Sequence, residues 1–175
     1  MKSAILLLVT GLLVSNAFGG SDAFDSVKCG SDIPKALTGK RMFNQRVADL
    51  EKKHADLGLK DLGGDEISEH LSTTSWLICG SEFLLLEDES FVQDVLKVPP
   101  HSKTSPLFIG TCEKNGKESK DILVAILDNE KETRASALTA KVAWKIDQKK
   151  MKFVSVPVEG LRCPRTGVNT SDGGL

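Results

Sequence analysis

Between residues 42 and 72 the apolar side chains recur at helical spacing, and beyond residue 75 they alternate with polar ones as strands do. Phe43, Val47, Leu50, His54 and Leu57 fall at steps of four, three, four and three. That places them on one face of a helix over 42–57. Arg46, Asp49, Glu51, Lys52, Lys53 and Asp56 fill the opposite side, and Gly58 stands where a helix end favours a left-handed residue. Gly63-Gly64 breaks the chain again. The acids of "DEISEHL" suit a first helical turn, so a second, shorter helix is predicted from Asp65 to Ser72.

The period then becomes two. "SWLICGSEFLLLE" reads as a hairpin turning at Gly80-Ser81, glycine first, or as one long strand. "SFVQDVLK" reads as a connection with a helical turn over 92–96, and Pro99-Pro100 stiffens the loop that follows. "LFIGTC" and "DILVAILD" flank a type I′ turn at Asn115-Gly116, within a polar loop longer than the minimum. The second of them is apolar on both faces, as in a central strand covered on both sides. Val142, Trp144 and Ile146 alternate in one last strand, and Val154, Val156 and Val158 in another. Pro157 puts the latter at an edge or ends it near there, because proline has no amide proton for a ladder. The sum is an α+β fold: an N-terminal amphipathic helix and a short second helix packed on a mostly antiparallel sheet of five or six strands.

The ends change the picture from fold to location. "MKSAILLLVTGLLVSNAFGG" has a basic Lys2 and then an apolar run from Ala4 to Val14, too short for a span, which needs ~20 such residues. Small residues follow it. This predicts a signal peptide over 1–19 with cleavage after Ala17 or Gly19, a single globular domain over 20–165, and a flexible tail over 166–175. No second stretch approaches membrane length, so the mature chain is expected to be soluble and exported, either secreted or periplasmic.

Cys29, Cys79, Cys112 and Cys163 all survive that cleavage. An even count in an exported chain predicts two disulfides. Spacings of 50, 33 and 51 residues exclude the close ligand pairs of zinc sites and any CxxC motif. Joining Cys29 to Cys163 and Cys79 to Cys112 is the preferred pairing, because it ties the two ends of the domain together.

Charge and motifs then narrow the functions. Lysines and acids are interspersed and the net charge is -1, without the basic stripe of a nucleic-acid binder. Tyrosine is absent, which disfavours a sugar-stacking surface. "HADLGLKDLGGDEISEH" offers His54, Asp56, Asp61, Asp65 and His70 as metal donors, but neither calcium-loop nor zinc-helix spacing is met. Helix punctuation explains the stretch better, with His54 a hydrogen-bonded, partly buried histidine. No GxSxG, phosphate cradle or dinucleotide fingerprint is present, so no catalytic residue, metal or cofactor is assigned. Glu82, Glu87, Asp88 and Glu89 stand where paired glycosidase acids could, yet read more simply as a solvated strand end.

The loop "VPPHSKTSP" carries the functional expectation. Its prolines lower the entropy lost on docking, and Pro99, Pro100, His101 and Lys103 are the candidate contacts to an exported protein or envelope component. The leading expectation is therefore a non-enzymatic binding or inhibitor-like module with an extracytoplasmic partner. The alternative is a small exported hydrolase using His70 or His101 with an acid or a serine such as Ser81, Ser102 or Ser105. A purely structural role is the third. Asn169-Thr170-Ser171 is a glycosylation sequon if the source is eukaryotic.

Overall fold

The computed structural model describes residues 22–42, 46–129 and 135–165. The expected signal peptide, the expected tail with Asn169, and Phe43 lie outside the described residues. The fold is mostly β, not α+β, which corrects the expectation above. Nine strands form among the described residues: β1 (Lys60–Glu66), β2 (Leu71–Ile78), β3 (Ser81–Asp88), β4 (Phe91–Lys97), β5 (Leu107–Lys114), β6 (Lys117–Asp128), β7 (Ala137–Asp147), β8 (Lys152–Val156) and β9 (Leu161–Pro164). They make two sheets, one ordered β1-β2-β3-β4 and the other β6-β5-β9-β7-β8 with an added β6–β7 pairing. That pairing closes β5, β6, β7 and β9 into a small antiparallel ring, with β8 outside it on β7.

Three apolar clusters hold the layers. One face of the first sheet, with Trp76, Ile78, Phe83, Leu85, Val92 and Val95, is covered by the N-terminal segments through Phe24, Leu37, Leu50 and Leu57. Its other face meets the second sheet through Leu71, Leu84, Leu86, Val124, Ile126 and Ile146. Phe108, Leu123, Ala125, Leu127, Leu138 and the Cys112–Cys163 pair fill the closed ring. β6 thus buries alternate residues in two different cores, as its two-sided apolar pattern predicts.

The helical material is smaller than its periodicity promises. Helix α1 spans Ile33–Leu37, α2 spans Val47–Lys53, and a 3₁₀ turn over Ala55–Leu57 follows α2. Leu50, His54 and Leu57 are buried on one face as expected, and Gly58 has a φ of 57°. Val47 is exposed, so the apolar face is too short to support a long helix.

The predicted helix over 65–72 is instead the end of β1, a turn, and the start of β2. Gly63-Gly64 does not terminate a helix. It lies at a bulge, where the register of β1 on β2 shifts between Asp61 and Gly63. A Cβ on Gly64 would sit 2.3 Å from the Thr73 carbonyl oxygen, so the close approach of the two strands needs glycine there. Thr73 and Thr74 then continue the ladder in β2, where β-branched residues pack well.

β4 replaces the helical turn predicted over 92–96. Leu86 pairs with Asp94 and Glu87 with Val92, leaving Gln93 as an inserted residue. That bulge turns Val92 and Val95 to the same side, and their three-residue spacing imitates a helix. The β2–β3 turn falls one residue earlier than expected, at Cys79 (φ 52°) and Gly80 (φ 73°), with Ser81 already paired to Ile78. Asn115-Gly116 forms the expected turn, and the loop is the two-residue minimum, since Lys114 pairs with Lys117. β8 is an edge strand that ends just before Pro157, as predicted.

Two disulfides form, Cys29–Cys79 and Cys112–Cys163. The preferred pairing of Cys29 with Cys163 and Cys79 with Cys112 is therefore corrected. Cys29 lies in the segment that covers the first sheet, beside the β2–β3 turn that carries Cys79. Cys163 lies on β9, which pairs with β5 next to Cys112. Each bridge thus closes a local neighbourhood rather than joining the two ends.

Candidate functional site

The loop over 98–106 leaves β4 and enters β5 under tight restraint. The Val98 amide donates to the Glu82 carbonyl at 2.9 Å, and the Leu127 amide donates to the Pro106 carbonyl at 2.9 Å. Ser102 and Ser105 exchange two backbone hydrogen bonds of 3.0 Å, folding the tip into a tight turn. Asn129 braces that turn from the side. Its amide donates to the Thr104 carbonyl at 3.0 Å, and its side chain donates to the Lys103 carbonyl at 3.3 Å. Lys141 Nζ donates to Ser105 Oγ at 2.7 Å. Pro100, Ser102, Lys103 and Thr104 remain exposed on the braced turn, while Pro99 is half-buried.

His101 points inward. Its Nε2 lies 2.6 Å from Glu82 Oε2 on β3, and Ser75 Oγ on β2 donates to Glu82 Oε1 at 3.0 Å. The bond to Glu82 raises the His101 pKa above its ordinary value, outweighing the opposing effect of burial. Glu82 and Ser75 also line a small cleft between the sheets, walled by Leu62, Gly63, Gly64, Asp65, Leu84, Leu107 and Ile109, with a cavity volume of about 20 Å³. That volume admits about one water molecule beside the carboxylate.

The hydrolase expectation asked for a histidine within reach of an acid or a serine. His101 and Glu82 meet that condition. The chemistry of acyl transfer, however, orders nucleophile, histidine and acid, so that the imidazole takes the nucleophile's proton. Here the carboxylate sits between the hydroxyl and the imidazole, and Ser75 donates to Glu82. The hydroxyls of Ser102 and Ser105 bond to Thr104 and Lys141. His70 lies apart, its side chain 62% exposed, with Glu69 4.0 Å away. Glu82 and Glu87 face opposite sides of β3, so they are not a glycosidase pair.

Glu87 is buried on the helix-covered side, where the Thr74 hydroxyl donates to it. Burial raises its pKa, the Thr74 bond partly opposes this, and nearby Asp61 raises it further. A folded-state pKa above the ordinary value means that stability falls as pH rises from that value through the raised one. E87Q is therefore expected to be at least as stable as the parent at neutral pH and to lose this pH dependence. Urea midpoints at about pH 4.5 and pH 7.5 measure it, and an equal slope in both proteins contradicts the assignment.

The proposed metal donors do not assemble. His54 turns to Asp22, which sequence reading did not single out, with Nε2 2.9 Å from Oδ1. Asp61 Oδ1 accepts the Gly63 amide, Asp65 lines the cleft, and His70 is exposed. Asp22, Asp25 and His54 are the one group among the described residues whose donor atoms lie within 4.8 Å of one another. Lys53 Nζ lies 2.7 Å from Asp22 and 2.5 Å from Asp25, so an ammonium already supplies the positive charge there. The motif "DAFD" could have disclosed this corner, because Asp22 and Asp25 form a reciprocal capping box on the first 3₁₀ turn.

Together these features define a disulfide-stapled, two-sheet β protein with a braced, proline-containing loop. No protein-family model matches the chain, and comparison with curated proteins and with solved structures finds no match either. No helix among the described residues is long and apolar enough to cross a membrane.

Proposed function

We propose that this protein is a non-enzymatic, exported binding module that presents the 98–106 loop to an extracytoplasmic protein or envelope component. The supporting observation is the bracing of the loop: its tip is exposed while its base is held by β3, β6 and β7 through backbone and side-chain hydrogen bonds. A loop ordered before binding loses less entropy on docking, which is how a small contact surface gains affinity. The two disulfides fit the oxidising compartments where such bonds persist, and the apolar run after Lys2 supplies the export signal.

Photo-crosslinking tests the reading. A photoreactive residue at Thr104 is expected to trap one discrete exported partner, and the same probe at Glu118, exposed at the start of β6, to trap none. Replacing Pro99 and Pro100 by alanine is expected to lower the Thr104 yield several-fold. Identical adducts from both positions, or a yield indifferent to the prolines, overturn the assignment. The hydrolase reading draws on the 2.6 Å contact of His101 with Glu82. It is distinguished by turnover of an ester or glycoside substrate that H101Q abolishes.

A further inference from the structure

The fastenings of the 98–106 loop differ in how they respond to protons. The bonds from Val98, Leu127 and Asn129 are backbone or amide contacts that do not titrate. The His101–Glu82 contact is different, because it joins two ionisable groups that are 22% and 13% exposed. We propose that this contact is a proton-gated catch, pinning the loop in its docking conformation in mildly acidic surroundings and releasing it in alkaline ones. The proposal deepens the loop-binding reading and rests on it for its purpose, but the catch exists or fails independently of any partner.

The surroundings permit both states. With His101 protonated, an imidazolium meets a carboxylate at 2.6 Å in a partly buried position, so the bond carries an attraction of opposite charges that a neutral imidazole on the same carboxylate lacks. With the proton gone, Glu82 is not stranded. Ser75 still donates to its other oxygen, and the adjoining cleft admits about one water to replace the imidazole. The loop can therefore leave without burying an unpaired charge, which is the condition for two accessible states.

The neighbouring elements do not reverse the gate. β2 contributes the neutral Ser75 and β5 the apolar Leu107 and Ile109, while β1 contributes Asp65, whose charge does not oppose an imidazolium. On the loop itself the next ionisable group is Lys103, whose backbone carbonyl is held by Asn129. Glu82 raises the proton affinity of His101 in the folded protein. The pinning is thus complete below the ordinary histidine value of 6.5 and is lost as pH rises through the raised one.

NMR of the purified, disulfide-intact protein tests the catch without a partner. The His101 Cε1–Hε1 signal reports the titration, and Cα–Hα order parameters of Ser102 and Ser105 report the loop. Those order parameters are expected to fall from about 0.85 to below about 0.7 as His101 deprotonates, with β3 unchanged. In H101Q they are expected to be the same at both ends of the range. Order parameters that stay level through the His101 titration, or that fall equally in H101Q, overturn the proposal. Crosslinking from Thr104 that survives such a result leaves the binding loop standing without its gate.

Discussion

Removing the Cys112–Cys163 bridge by double alanine substitution is expected to destabilise the protein by about 5 kcal/mol, against about 4 kcal/mol or less for Cys29–Cys79. The two bridges are a natural comparison because they close loops of almost equal length, with sequence separations of 51 and 50. Chain entropy then assigns each about 4 kcal/mol. What separates them is the native environment. Cys112 and Cys163 are 1% and 0% exposed inside the closed ring, so alanine leaves a void among Leu123, Leu138 and Leu161, whereas Cys29 is solvent-exposed. Guanidinium unfolding followed by tryptophan fluorescence measures both losses, with Trp76 on the helix-covered face and Trp144 packed between the sheets. Equal midpoint shifts would mean that burial of the bridge contributes nothing. Under mild reductant, the accessible Cys29–Cys79 bridge should open first.

Asp22→Asn carries the second large effect, a loss of about 2 kcal/mol at neutral pH. The Asp22 carboxylate is nearly inaccessible and accepts bonds from the Phe24 amide, His54 Nε2 and Lys53 Nζ. Burial alone pushes its pKa up, but the bonds from Lys53, His54 and Phe24 prevail and hold it below the ordinary 3.8. A depressed folded-state value contributes stability above 3.8 that is lost as pH falls through the lower one. The difference between D22N and the parent should therefore be full at pH 7 and shrink in strong acid. Lys53 is 48% exposed, so K53M should cost far less. Urea titrations of the three proteins at neutral and acidic pH decide the matter. A D22N deficit that persists unchanged in acid would show that the carboxylate charge is not its source.

The same corner shows what sequence reading of the site could and could not reach. His54 was legible as a buried, bonded histidine because it shares a helical face with Leu50 and Leu57. Its partner was not, since Asp22 lies 32 residues away and only folding brings it close. Likewise the loop of Pro99, Pro100, His101 and Lys103 stood out by composition. Its anchor Glu82, 19 residues earlier, looked like an ordinary polar residue at the start of a strand.

What the sequence by itself determined about this protein is its local grammar. The turn at Asn115-Gly116, the two-sided β6, the edge position of β8 beside Pro157 and the left-handed Gly58 follow from properties of a few neighbouring residues, which act wherever the chain goes. Tertiary structure decided the rest. The bulge at Gln93 disguised one strand as helical spacing, because an inserted residue shifts which side chains share a face, and the helix expected over 65–72 spans the turn between β1 and β2. β9 has four residues and too little pattern of its own, and it exists because β5 and β7 offer it hydrogen bonds on both sides. The cysteine pairing and the His101–Glu82 catch are of the same kind, contacts between distant segments whose partners are chosen by sheet register and layer packing.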